Sequence, residues 1–187
     1  MEKMEKILAK NIIEFYKENK FFNDNQFGFI NNRSTTIQLI SSLEDWYDAL
    51  FQNKNIDCVY IDFCKAFDSV NHELLLSKLY NSGIRGKLYR WITEFLRNRT
   101  FKVKINDKYS KAYYIENGVP QGSILGLLLF LVYINDLPLN LPDGVKIKLF
   151  ADDVKIYNVF KTKNERLKLV NALKSVEIDI INLKSIL

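Results

Sequence analysis

The chain has 187 residues, 48% of them hydrophobic, and carries 27 Lys and Arg against 22 Asp and Glu, a net charge of +5 with a pI near 9.0. This content suits one globular domain with a sizeable core and excludes a mainly disordered chain. The modest positive balance raises nucleic acid as a partner without establishing it. At the amino end, residues 1–16 mix Glu and Lys with Ile7, Leu8, Ile12, Ile13 and Phe15, which is neither a secretory signal nor an acid-poor transit peptide. Met4, Ile7, Leu8, Ile12, Phe15 and Tyr16 recur at three-to-four spacing and predict an amphipathic helix over 4–19. After a polar stretch, Asn23 to Arg33, the same spacing through Ile37, Ile40, Leu43, Tyr47 and Leu50 predicts a second helix over 34–51, with Ser34 or Thr35 as its cap. Ile56 to Phe63 is short, apolar, β-branched and aromatic, the composition of a buried strand. Cys58 and Cys64 are the only cysteines, too few for a disulfide framework or a zinc set, and are read as reduced core thiols.

Two more helices are expected over 71–81 and 87–97, separated by Ser82, Gly83 and Gly86, with Asn71 capping the first. His72, the sole histidine, falls at that helix start and is read as structural. Phe101-Lys-Val-Lys-Ile105 alternates with period two, and Ala112 to Ile115 can pair back across a polar turn at 106–108, which makes a hairpin. Gly118-Val-Pro-Gln-Gly122 is a loop into a helix over 124–135, too apolar all round for a surface, so it should cross the core. Val145 to Phe150 and Val154 to Phe160 read as strands flanking Ala151-Asp152-Asp153, and a last helix begins near Asn164. The order α, α, β, α, α, β, β, α, β, β, α predicts an α+β fold with an antiparallel sheet packed on helices. Only 7 Gly and 3 Pro are present, with no linker-like stretch and no internal repeat. The longest apolar run, Leu127 to Ile134, is well short of the roughly 20 residues needed to cross a bilayer, so no membrane span is expected and the protein is read as intracellular.

Asp152 and Asp153 sit together at the bend of one strand pair, and Asp62 closes another strand. If those strands are neighbours, three carboxylates converge. Clustered carboxylates repel one another, and a divalent cation is their natural partner; oxygen-only ligation favours Mg²⁺ or Mn²⁺ over zinc. Such a site can carry out nucleotidyl transfer. Taken alone, however, Asp-Asp is also an ordinary turn sequence.

The surrounding motifs are more specific. Gln26-Phe-Gly-Phe29 with Arg33-Ser-Thr-Thr36, Asp62-Phe-Cys-Lys-Ala-Phe-Asp68 with Ser69-Val-Asn-His72, Gly118-Val-Pro-Gln-Gly-Ser-Ile-Leu-Gly126 and Phe150-Ala-Asp-Asp153 follow one another in this order. In this order they resemble the reverse transcriptase domain of non-LTR (LINE-type) retrotransposons over about Gln26 to Tyr157. The likeness is closer than to telomerase, group II intron or viral RNA polymerase palms. The resemblance implies a polymerase palm over 56–187 and a fingers-like helical part over 1–55. It implies Asp62, Asp152 and Asp153 as catalytic carboxylates, with Asp62 and Asp152 the principal metal ligands, the Phe63 carbonyl an additional one, and Asp153 close to the primer end. Phe67 would lie beneath the sugar of the incoming nucleotide and exclude a ribose 2′-hydroxyl. Gln121 and Gly122 would lie against the nucleotide and the templating pair, and Arg33 and Lys65 would meet phosphates. RNA template, DNA primer and dNTPs are the implied partners, and the nucleus the implied place of action.

Some positions depart from the family pattern. Ile30 stands where a basic residue commonly follows the Gly-Phe pair, and Leu127 where Pro usually follows Ser-Ile-Leu-Gly. The chain stops at Leu187, before the expected primer-gripping hairpin and thumb. Two expectations of different class follow. One is an RNA-directed DNA polymerase with an intact palm; the other is a truncated, inactive element remnant that at most binds nucleic acid.

Overall fold

A computed structural model describes residues 2–97 and 99–184. In chain order these form α1 (Glu2–Glu18), α2 (Thr35–Phe51), β1 (Asn55–Asp62), α3 (His72–Asn81), α4 (Gly86–Leu96), four two-residue strands, α5 (Ile124–Ile134), a 3₁₀ turn (Leu137–Asn140), β6 (Val145–Phe150), β7 (Asp153–Phe160) and α6 (Lys163–Lys184). The short strands are β2 (Thr100–Phe101), β3 (Lys104–Ile105), β4 (Lys108–Tyr109) and β5 (Tyr113–Tyr114). Among the described residues no helix is long and apolar enough to cross a membrane. The chain separates into two compact units. One gathers Lys65–Tyr133 with the amino-terminal residues up to Phe15, and the other gathers Tyr16–Cys64 with Ile134–Asn182.

The second unit is built on an antiparallel sheet in the order β1-β7-β6. Its central strand has Val154 to Asn158 buried without interruption. One face packs Ile147, Leu149, Val154 and Ile156 against Leu169 and Val176 of α6, with Val59 and Ile61 partly buried beside them. The other face meets α2. Lys146 and Tyr157 both bond the Asp45 carboxylate, and Lys148 Nζ donates to Ser41 Oγ at 3.0 Å. The Trp46 ring stands edge-on to Tyr157 at 5.9 Å. Ser34 caps α2 through Ile37 N–H, as its position predicts. β1 corrects one expectation. It is an edge strand whose residues are partly buried or exposed, not a buried one, because β7 shields only one of its sides. Cys58 is accordingly half-buried, and Cys64 lies exposed past the strand end, so the two free thiols are not core residues.

In the first unit, α5 is apolar on every side. Leu125 and Leu128 to Tyr133 are buried there, as expected of a helix that crosses a core. Asn71 caps α3, its side chain accepting Leu74 N–H at 2.9 Å. Residues 99–115 form the expected hairpin in two short ladders. β2 pairs with β5 and β3 with β4 around a turn at Asn106 and Asp107, where Asn106 takes φ +51°.

Candidate active site

β1 and β7 are antiparallel neighbours, and their register sets Asp62 opposite Asp153 and Tyr60 opposite Lys155. Directly opposed residues share a face, with Cβ atoms about 4.5–5.5 Å apart, and residues two apart along a strand share it too. Two carboxylates, a phenol and an ammonium therefore stand together on the face that meets α2. Asp62 and Asp153 are both exposed and line an open cleft of about 390 Å³ with Tyr60, Lys155, Thr35 and Gln38. Lys155 also lies 5.4 Å from the Tyr60 ring centroid and 5.5 Å from that of Trp46. Lys155 is a site residue that motif matching passes over. Its signal in the sequence is the period of two counted from Asp153.

Asp152 is placed differently. It is the second residue of the two-residue turn Ala151-Asp152 between β6 and β7, closed by the Phe150–Asp153 pair, and it is half-buried. Among the described residues no group of three or more His, Cys, Asp or Glu side chains is gathered to hold a metal ion. The expected three-carboxylate convergence is thus realised as an opposed pair, Asp62 and Asp153, because the tight turn takes Asp152 out of the ladder. Phe63 follows directly on Asp62, with its ring packed on the sheet core.

The turn is held by a buried glutamine. Gln26, 2% exposed, accepts Ala151 N–H at 3.0 Å and Gly28 N–H at 2.8 Å through Oε1. Segment 25–27 runs along β6, with Phe27 N–H donating to Leu149 O at 2.7 Å and Leu149 N–H to Asn25 O at 2.8 Å. Gly28 must lack a side chain, since a Cβ there would stand 2.5 Å from Ala151 N. Arg33 staples the same segment. Its guanidinium donates to the carbonyls of Asn23 and Gln26, each at 2.6 Å, and to Asp24 at 2.8 Å.

Lys65, Phe67, Gln121 and Gly122 belong to the first unit. Lys65 is exposed, with φ +51°. The segment that follows it is laced to the loop before α5. Val119 N–H donates to Phe67 O at 2.8 Å, Gly118 N–H to Val70 O at 2.7 Å, and Gln121 Nε2 to Asp68 Oδ1 at 2.9 Å. Gly118 takes φ +86°, and a Cβ on it would fall 2.8 Å from Asp68 O, so only glycine permits this approach. Phe67 stacks on Phe130 of α5, centroids 4.4 Å apart. Gly122, at φ +80°, faces open space. His72 Nε2 donates to Gly118 O at 2.8 Å with the ring buried, the structural role its position suggests. Burial pushes this imidazole below its ordinary pKa, with Arg99 and Arg97 adding to the effect against the Gly118 bond.

The chain matches the reverse transcriptase (RNA-dependent DNA polymerase) family over residues 1–184. It is 32% identical over 158 residues to the probable RNA-directed DNA polymerase from transposon BS of Drosophila melanogaster, covering 81% of this chain and 17% of that protein. To the RNA-directed DNA polymerase from mobile element jockey of the same organism it is 30% identical over 165 residues, 85% of this chain and 18% of the relative. The chain thus spans under a fifth of the length of these relatives. A solved telomerase of Candida tropicalis, in complex with a fragment of telomeric RNA, shares the fold with a TM-score of 0.68 at 11% identity, over 94% of this chain and 31% of that one.

Proposed function

We propose, since the chain belongs to the reverse transcriptase (RNA-dependent DNA polymerase) family, that it is the catalytic domain of a LINE-type retrotransposon polymerase. On this reading the face shared by Asp62 and Asp153 is where a deoxynucleotide joins a primer 3′-hydroxyl. The observation that supports it most directly is the register pairing of these two aspartates across adjacent strands at the mouth of an open cleft. Residues 56–187 are the palm and 1–55 the fingers-like part in this reading, and action in the nucleus goes with it.

Reverse transcriptases use divalent metal ions. Carboxylate oxygens are the donors hard cations prefer, and Mg²⁺ is commonly held by one or two carboxylates together with substrate phosphates and water. An opposed pair open to a cleft fits that description. Asp62, Asp153 and Asp152, with the Phe63 carbonyl, are the groups that would hold Mg²⁺ or Mn²⁺. When bound, the metal lowers the pKa of the primer hydroxyl and neutralises charge on the triphosphate. The remaining roles fall to the protein's own side chains. Phe67, braced by Phe130, excludes a ribose 2′-hydroxyl and so selects dNTPs. Gln121, oriented by Asp68, and Gly122, with no side chain, lie against the nucleotide and its templating base. Lys65, an exposed cation, meets phosphate. Arg33 has most of its guanidinium engaged by the loop it staples, so its part in phosphate binding is smaller than that of Lys65. RNA template and DNA primer complete the substrates.

Primer extension on an RNA template at low salt with Mg²⁺ and dNTPs tests this reading, comparing the chain with Asp62→Asn and Asp152→Asn. Incorporation by the chain that falls to background in both variants is expected. Absence of incorporation from a sample with native circular dichroism and a cooperative melt would overturn it.

A further inference from the structure

The hairpin of residues 100–114 stands open to solvent. Every residue in it except Ser110 is exposed. The large apolar side chains point into solvent, with Phe101 at 50%, Tyr109 at 64% and Tyr114 at 75% exposure. A two-stranded ribbon with nothing packed on it is marginal in water, and such side chains are normally spent on a core. Its charge is equally lopsided. Lys102, Lys104, Lys108 and Lys111 face a single acid, Asp107, so the ribbon holds a net +3 of the chain's +5.

Rings and ammonium groups are interleaved. Phe101 stands opposite Tyr113 with the rings stacked, centroids 5.6 Å apart, and Lys111 lies 5.1 Å from the Tyr113 centroid. Lys104 stands opposite Tyr109, 5.6 Å from its centroid. Thr100 stands opposite Tyr114, so rings are presented on both faces of the ribbon. An apolar protein partner would use the rings and leave four lysines to be desolvated. A duplex would meet the lysines and leave the rings idle. Only an unpaired strand uses both, with its bases stacked on the rings and its phosphates against the lysines.

We propose that this ribbon is a docking surface for single-stranded RNA, the template strand of the reaction. The choice of RNA rests on the polymerase reading. Of the strands in such a substrate, the primer end is paired, and the template ahead of it is the one with unpaired bases. The ribbon lies outside every residue assigned to nucleotide chemistry, so binding can be read without catalysis.

Fluorescence anisotropy with labelled RNA about 12 nucleotides long, within the span such surfaces cover, measures it directly, using the full chain without dNTPs. Tyr109→Ala and Tyr114→Ala are each expected to weaken binding about tenfold, the effect of one lost base–ring stack. Lys104→Gln with Lys108→Gln should flatten the slope of log affinity against log salt by about 1.4, at about 0.7 per phosphate contact. Because these side chains support no core, circular dichroism should be unchanged in all variants. Unchanged affinity and salt slope would overturn the proposal, as would tighter binding of duplex or of single-stranded DNA. If primer extension fails while RNA binding still depends on the ribbon, the polymerase reading falls and the surface stands; the reverse pattern removes the surface alone.

Discussion

At the scale of single residues, Gln26 sets more of the site than a neutral side chain suggests. Ala151 holds φ +52°, a left-handed conformation that costs a non-glycine residue about 1–2 kcal/mol. That cost falls on the turn that presents Asp152 and Asp153, and the Gln26 bonds to Ala151 and Gly28 hold the turn in place. Gln26→Leu would leave two buried amides without an acceptor, at about 1–3 kcal/mol each. Urea unfolding followed by circular dichroism should therefore show a loss of about 2–4 kcal/mol after partial relaxation. Gln26→Glu keeps an acceptor and should lose less. A Leu variant as stable as the parent would mean that the amides find other partners. None of this is legible in the sequence beyond the motif that contains Gln26, because the contact joins residues 125 positions apart.

At the scale of elements, what is legible is what local chemistry decides. Ser34 and Asn71 are short polar side chains just before apolar periodic runs, and both cap the helix that follows. Asn71→Ala should cost about 1 kcal/mol, read as a shift of the urea midpoint at unchanged slope. A shift in the slope as well would point to a wider disturbance of the unit. The burial of β1 is less legible, since its composition is that of a central strand and only the sheet order makes it an edge. The same holds for the aspartates. The family resemblance ranks Asp152 with Asp62 as the principal metal ligands, whereas the register sets Asp153 opposite Asp62 and leaves Asp152 in the turn. Lys155 was hidden for the converse reason. A lysine in an apolar strand reads as an outward charge until its partner across the ladder, Tyr60, is known.

At the scale of the whole molecule, likeness to a telomerase at 11% identity shows that the fold survives almost complete replacement of its side chains. Pattern and burial then matter more than identity, and titratable groups that are wholly or partly buried become the molecule's weak points in acid. Two are placed to act in sequence. His72 is held below its ordinary pKa of about 6.5, so the unfolded chain takes up its proton first. Stability should start to fall as the pH drops below about 6.5 and stop falling once below the folded-state value. Asp45 behaves as a depressed carboxylate. Burial alone would raise its pKa, but the bonds from Lys146 and Tyr157 outweigh this and hold it below the ordinary 3.8. Its contribution is intact above that value and is lost as the pH falls through the folded one. Thermal melts across this range should show a first decline that sets in below about pH 6.5 and a second that sets in below about 3.8. His72→Gln, whose amide can still reach the Gly118 carbonyl, should remove the first decline, and Asp45→Asn the second. A first decline of equal size in His72→Gln would assign it to other groups and leave the buried imidazole without a part in the acid response.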